Sequence, residues 1–526
     1  MMSSPSVPPV HVSSHDHERD FSCRASVDII SGCDDDEFPL FFNRAVFGNI
    51  AFTGLRLSLS FYSQTRTTTL RTSTNRPPIS MATKLQWLPL PRLLFILSTL
   101  FFVGQIAAAL PWIESHQRYL DQPSGLYPVV LLPGSSCSQI EVRLTDAYEP
   151  PSPVCEALKR DGRWSLLYKN ITAPDAEVPC FADQLRLVYD HASGDYRNAR
   201  GVETRPLSFG STRGFLANEP ADRELCMGKL VEALEREGYR DGESLFGAPY
   251  DFRHAPAAEG QANRELSRFR RALRALVERA SRANGDKAVV LVSHSQGGYF
   301  TMDFLRRSPL SWRRRFVKHY VMASTGAGGF VVSMQFFTST GDSSSSSPPS
   351  PATAMSLPSV GRTLPSRFTA LPSPMAFSDD TPLVVTRNKS YAARDMSAFL
   401  AAAGLPPDMV RLYETRELPV ALNLGAPLVP VTCVNGVGVP TTEMLVYRDG
   451  LDGTPEVTYG DGDGVVNLAS IVALDKVIGG DPRQEYYRSV RIANMSHRGV
   501  VSDPVALRRM VHEILAATSA EDTRVI

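Results

Sequence analysis

An excess of charge of either sign is what this chain of 526 residues most plainly lacks, since 55 Lys and Arg stand against 55 Asp and Glu. Without a net basic field there is no electrostatic footprint for nucleic acid, and that class of partner is excluded. Residues 1 to about 80 lack any helix or strand period and are rich in Ser, Thr, Arg and Pro, as in YSQTRTTTLRTSTNRPP. They read as a disordered or spurious extension. The length alone suggests about three domains, but α/β folds with insertions keep this much chain in one unit.

Met81 begins MATKLQWLPLPRLLFILSTLFFVGQIAAALPW, in which Lys84 and Arg92 precede an uncharged run from Leu93 to Leu110 closed by Ala107-Ala108-Ala109. Residues 81–110 therefore read as a secretory signal peptide or signal anchor, and the rest of the chain as secretory, whether lumenal, membrane-associated, extracellular or vacuolar. The seven Cys agree with an oxidising compartment. Cys155 and Cys180 bracket one segment and are the best candidate pair. Cys23 and Cys33 fall in the extension, and Cys137, Cys226 and Cys433 read equally as buried thiols. Sequons at Asn170 and Asn388 fit lumenal exposure.

The chain is organised around KAVVLVSHSQGGYFTMDFLRR. Ala288 to Val292 is a continuous apolar run of the kind that makes a central parallel strand covered on both faces. Ser293-His294-Ser295-Gln296-Gly297 follows, and then Tyr299, Phe300, Met302, Phe304 and Leu305 mark a helical face that Pro309 ends. Strand, small residues, Ser and helix are the context of a nucleophile elbow, G-x-S-x-G, with Ser293 in place of the first Gly. Ser295 is the candidate nucleophile, and His294 reads as a packed neighbour.

Around this stretch, strands and helices alternate. Strands are expected at 128–132, 244–248, 317–323, 429–434, 456–459 and 489–492. Helices are expected around Met227 to Leu234, Leu266 to Ala280 and Pro504 to Thr518. The pattern predicts an α/β-hydrolase fold, a mostly parallel doubly wound sheet over residues 120–520. A cap excursion interrupts it at about 140–214, and a lid or cap excursion at about 324–424 holds the polar tract GDSSSSSPPSP. The small-residue loop Pro133-Gly134-Ser135-Ser136 ends the first strand and can turn backbone N–H groups toward a reacting carbonyl.

In this fold the triad runs Ser, acid, His along the chain. Of ten His, His319, His497 and His512 follow the elbow. His319 lies within a strand and His512 within an amphipathic helix, whereas His497 sits on a loop just past a strand, free to reach Ser295. The Gly-rich loop Tyr459-Gly460-Asp461-Gly462-Asp463-Gly464 supplies the acid, Asp463 being preferred to Asp461 because it opens the following helix. A Ca²⁺ loop would need a polar ligand at Val465 and a Gly at Val466, so no metal is expected, and no cofactor.

Taken with PVVLLPGSSCSQIEVRL, CFADQLRLVYD, GVETRPLSFGSTRGF, SLFGAPYDFR, VPVTCVNGVGVPT and YGDGDGVVNL, these residues resemble the lecithin-cholesterol acyltransferase family, most of all its plant members, over roughly Tyr127 to Ala517. The resemblance implies Ser295 as nucleophile, Asp463 as acid and His497 as base, with oxyanion N–H groups from Ser135 and Gln296. It also implies a Cys155–Cys180 bridge around a membrane-touching loop, with Trp164 as lipid contact. Two departures stand out: Gln296 replaces a residue usually Leu or Met, and the family's S-A-P-W-G-G reads Ser324-Thr325-Gly326-Ala327-Gly328-Gly329. The implied activity is lipid O-acyl transfer through an acyl-enzyme, from phospholipid to a lipid alcohol such as a sterol or diacylglycerol at a membrane surface. The alternatives are a phospholipase A, a catalytically weak lipid-binding relative and an esterase or peptidase of soluble substrates.

Overall fold

Alternating side chains in short strands, the central ones buried, build two cores, one on each face of a single sheet. Among the described residues the sheet has seven strands: β1 (Val27–Ile30), β2 (Val129–Leu132), β3 (Leu245–Gly247), β4 (Val289–His294), β5 (Val317–Ala323), β6 (Val431–Val437) and β7 (Tyr487–Ala493). Their order is β1-β7-β6-β5-β4-β2-β3 and every pairing is parallel. In β4, Val289 and Leu291 face one core while Val290 and Val292 face the other. Each such side chain, wholly removed from water, contributes about 1.5–3 kcal/mol. This is why the run carries no polar alternation until Ser293.

The structure, a computed structural model, describes residues 27–30, 126–159, 162–168, 175–215, 226–338 and 357–519. They belong to one unit, residues 1–32 and 123–526; the other, 33–122, lies outside the described residues, and with it the expected signal segment. Among the described residues six helices flank the sheet: α1 (Gly228–Arg236), α2 (Arg264–Ala283), α3 (Gly297–Arg307), α4 (Leu310–Phe316), α5 (Leu468–Val477) and α6 (Pro504–Ser519). Leu266, Phe269 and Leu273 of α2 share the first core with Phe300 and Phe304 of α3, while Leu230 and Leu234 of α1 share the second with Met510 and Ile514 of α6. Asn263 caps α2 by accepting the Leu266 N–H at 3.0 Å. The result is the α/β-hydrolase fold.

Several elements differ from the sequence reading. Glu456–Gly460 is a strand, but it pairs antiparallel with Thr441–Tyr447 in a separate four-stranded sheet, and its side chains are largely solvated rather than buried. β1 lies inside the stretch where no period was legible and joins the sheet edge beside β7. The cap excursion carries strands of its own: Ile140–Leu144 pairs with Ser165–Tyr168 and Val202–Pro206, burying Ile140, Val142 and Leu144 while Glu141 and Arg143 are partly exposed. Cys137 and Cys226 are not thiols but a disulfide closing 89 residues of chain, leaving Cys433 as the free, buried cysteine among the described residues. The Ser-rich tract at 341–351 lies outside the described residues.

Arg253 pins the cap to the sheet. Wholly buried, it donates from Nε and Nη2 to Asp251 at 2.9 and 2.6 Å, and from Nη2 to Asn198 Oδ1 and Thr204 Oγ1, both at 2.8 Å. Its Nη1 donates to the Leu185 carbonyl at 3.2 Å. Burial alone would raise the Asp251 carboxyl, but the Arg253 charge and hydrogen bonds outweigh it and hold the group at about 2. A carboxyl so depressed stabilises the fold fully above its unfolded value of about 3.9, and that contribution fades as pH falls toward the folded value. Arg253→Ala is expected to cost about 3–5 kcal/mol at neutral pH by stranding Asp251. Denaturant titrations at neutral and acid pH check this: the deficit should shrink on acidification, and an undiminished one would place the loss elsewhere.

Candidate active site

β4 delivers the chain into a left-handed turn at Ser295, whose φ is 52°. A side chain with a Cβ resists that conformation by about 1–2 kcal/mol, so the surroundings must hold it. They do so by close approach: the Ser295 N–H donates to the Ala323 carbonyl at 2.9 Å, and α3 starts hard against the sheet. A Cβ on Gly297 would lie 2.5 Å from the Leu132 carbonyl oxygen, and one on Gly298 only 2.1 Å from Thr325 Oγ1. Ser293 stands where a Gly is usual and is tolerated because its buried hydroxyl meets the Tyr320 hydroxyl at 2.7 Å.

Three loops at the carboxyl ends of the strands meet at this turn. The Ser295 hydroxyl lies 2.9 Å from His497 Nε2, and His497 Nδ1 lies 2.9 Å from Asp463 Oδ2. Asp463 Oδ1 accepts the Val465 and Val466 N–H groups at 3.0 and 2.7 Å, and the Asp463 carbonyl accepts the His497 N–H at 2.7 Å. Burial pushes the Asp463 carboxyl up; the His497 ring, by its charge and hydrogen bond, and the two N–H groups together bring it below its ordinary value. Asp463 is therefore an anion at neutral pH, and it fixes His497 with Nδ1 protonated and Nε2 free to accept the Ser295 proton.

His294 does more than pack. It is 3% exposed, its ring centroid lies 5.0 Å from that of His497, and its Nε2–H donates to the His497 carbonyl at 3.0 Å. Burial, reinforced by the neighbouring His497, lowers its pKa to about 3, so it stays neutral with its proton on Nε2. The elbow strand thereby holds the loop that carries His497. Sequence reasoning missed this bond, and adjacency to Ser295 gave no sign of it.

The other candidates fall as follows. Asp461 is exposed and its carboxylate accepts the Gly438 N–H at 2.7 Å. His319 is buried in β5 beside Thr432 Oγ1, and His512 is exposed on α6. Ser135 and Gln296 line a small cavity of about 60 Å³ with Ser295, Pro256, Phe300, Thr325 and Phe330, and among the described residues neither backbone N–H meets an acceptor. The Gln296 side chain is tied back, Nε2 donating to the Phe252 carbonyl at 2.8 Å. Cys155 and Cys180 are joined, and Trp164 is half-buried beneath the guanidiniums of Arg205 and Arg143, 4.2 and 5.1 Å from its ring. Asn388 is exposed between the short strands Val384–Thr386 and Ser390–Tyr391. Asn170 lies outside the described residues.

A parallel sheet with a Ser elbow and a His and an acid on the two later loops defines the class, an α/β-hydrolase. Residues 164–417 match the family described as Lecithin:cholesterol acyltransferase. The chain is 42% identical over 418 residues to Lecithin-cholesterol acyltransferase-like 1 of Oryza sativa subsp. japonica, covering 79% of this chain and 92% of that one. It is 31% identical to the Lysosomal phospholipase A and acyltransferase of Canis lupus familiaris, covering 65% and 81%. To the Phosphatidylcholine-sterol acyltransferase of Homo sapiens it is also 31% identical, over 65% and 75%. The chain belongs to the lecithin-cholesterol acyltransferase family, and is an enzyme of the hydrolase and acyltransferase kind.

If the hydrogen-bonded chain is the working base, His497→Ala lowers kcat by about 10⁴-fold or more, whereas His512→Ala leaves it within about twofold. Steady-state hydrolysis of a chromogenic ester checks this, and similar losses in both variants would contradict it.

Proposed function

We propose that this protein is a lipid O-acyltransferase with measurable phospholipase activity, acting on membrane glycerolipids. The observation that carries the reading is the hydrogen-bonded line from Ser295 through His497 to the buried Asp463, beside a cavity walled by Phe300, Phe330 and Pro256. Ser295 Oγ attacks the ester carbonyl carbon of a phospholipid while its proton passes to His497 Nε2. The Ser135 and Gln296 N–H groups face the developing oxyanion. The bond to the lysophospholipid oxygen breaks as His497 returns the proton to it, leaving an acyl-enzyme. An acceptor hydroxyl then gives its proton to His497 and attacks the acyl carbon, and Ser295 Oγ departs with that proton.

What supports transfer over hydrolysis is that Ser366, Arg367, Thr369 and Ala370 of the second excursion line the cavity beside Ser295. With the cap segment around Trp164 against a bilayer, they would limit the access of water to the acyl-enzyme. Trp164 is the proposed lipid contact, its ring held at the cap surface by Arg143 and Arg205. The proposed setting is the secretory pathway, reached through the segment 81–110, with glycans at Asn388 and Asn170. The names of the relatives, which include a sterol acyltransferase and a phospholipase A and acyltransferase, agree with both halves of this chemistry.

Incubation with vesicles of labelled phospholipid containing sterol and diacylglycerol tests the reading. Sterol ester or triacylglycerol should form at the expense of free fatty acid as acceptor increases. Free fatty acid alone at every acceptor concentration would leave a phospholipase A, and no product at all a lipid-binding relative. Faster turnover of soluble short-chain esters than of bilayers would leave an esterase.

A further inference from the structure

A chain without net charge carries one strongly basic stretch: between residues 264 and 316 thirteen Lys and Arg face four Asp and Glu. Part of this is ordinary helix chemistry. Glu265 pairs with Arg268, and Arg306 and Arg307 complement the carboxyl end of α3. The rest is not. Arg270 and Arg274 stand four apart on α2, a like-charge spacing that disfavours the helix.

These side chains converge. Ser267, Arg270, Arg271 and Arg274 of α2, with Phe304 and Arg307 of α3 and Ser308 just past it, line a cavity of about 280 Å³. One carboxylate serves the group: Asp303 accepts from Arg270 Nη1 and Arg307 Nε, both at 2.7 Å. Glu278, four residues beyond Arg274, is engaged instead by the Trp312 Nε1–H at 2.8 Å. Arg274 lies over the Trp312 ring at 4.6 Å, which fixes its plane, and its Nη2 reaches Ser308 Oγ only at 3.5 Å. Arg271 is exposed and has no hydrogen-bond or ion-pair partner among the described residues. Arg270 Nη2 also donates to Ser267 Oγ at 3.0 Å, Arg307 Nη2 to the Ala257 carbonyl at 2.9 Å, and the Ser308 hydroxyl to the Phe304 carbonyl at 2.8 Å. Four guanidiniums around one carboxylate still leave three positive charges and unspent N–H donors about one concavity.

We propose that this cavity between α2 and α3 is a binding site for a phosphate group. Guanidinium forks match the oxygens of a tetrahedral dianion, which accepts many charge-assisted hydrogen bonds at once and offsets the repulsion between Arg270 and Arg274. A single carboxylate, with two oxygens and one charge, would leave most of these donors unmet. The site is separate from Ser295, on the order of 15–20 Å away along α3. The phosphate is that of a lipid headgroup or of a soluble phosphate ester.

The test uses full-length protein, wild type and two variants of equal charge, Arg271→Gln in the cavity and Arg282→Gln, exposed on the same helix outside it. Inorganic phosphate, titrated calorimetrically at ionic strength matched with chloride, should bind wild type and Arg282→Gln alike, and Arg271→Gln about tenfold more weakly. Flotation with phosphatidylcholine vesicles containing phosphatidic acid separates the sources. Loss of vesicle binding in Arg271→Gln alone assigns a lipid headgroup, and loss of phosphate binding without any vesicle effect assigns a soluble ester. Phosphate binding no better than chloride, or equal weakening in both variants, would overturn the site and leave only a solvated basic face.

Discussion

Everything at this site depends on the contact between the start of α3 and the ends of β2 and β5. The Leu132 carbonyl and Thr325 stand so near Gly297 and Gly298 that no Cβ fits, and this closeness holds Ser295 in a backbone conformation it would not adopt alone. The same closeness fixes where the hydroxyl points. Two cores, each fed by every second residue of β4, keep that strand from shifting, because a slip by one residue would exchange the faces. The packing of Val289 to Val292 is therefore part of the active-site geometry.

Around the elbow the electrostatics are fixed by close side-chain partners and by bonds to backbone. Asp463 stays ionised because His497, and after it two backbone N–H groups, offset its burial, and its carbonyl also receives the His497 N–H. His294, kept neutral by burial, ties the far side of the same loop to β4. Held from both sides, His497 would lose little freedom in the proposed role of base to Ser295, which is what preorganisation requires. Arg253 acts in the same way at larger scale, anchoring the cap through a buried ion pair.

The central strands, the elbow and the two loops after β6 and β7 were legible in the sequence because they announce themselves locally. Continuous apolar runs mark buried strands, and Gly-rich or polar loops follow them. Chain order then narrowed ten histidines to three and loop placement narrowed three to one. What was not legible is long-range. Cys137 and Cys226 carry no sign of each other across 89 residues, and nothing near Arg253 names Asn198 or Thr204 as its partners. Glu456–Gly460 looked like one more strand of the main sheet because a short strand does not declare its neighbour. The cap strand Ile140–Leu144 alternates apolar and polar residues, but the residues after it do not continue the pattern.

If the turn at Ser295 presents a nucleophile activated by His497 and Asp463, folded protein treated with a fluorophosphonate carries a single adduct, which peptide mapping finds on Ser295. The adduct forms far more slowly in His497→Ala and is absent in Ser295→Ala. No adduct in the folded protein, or an adduct on a different serine, would contradict that role for Ser295.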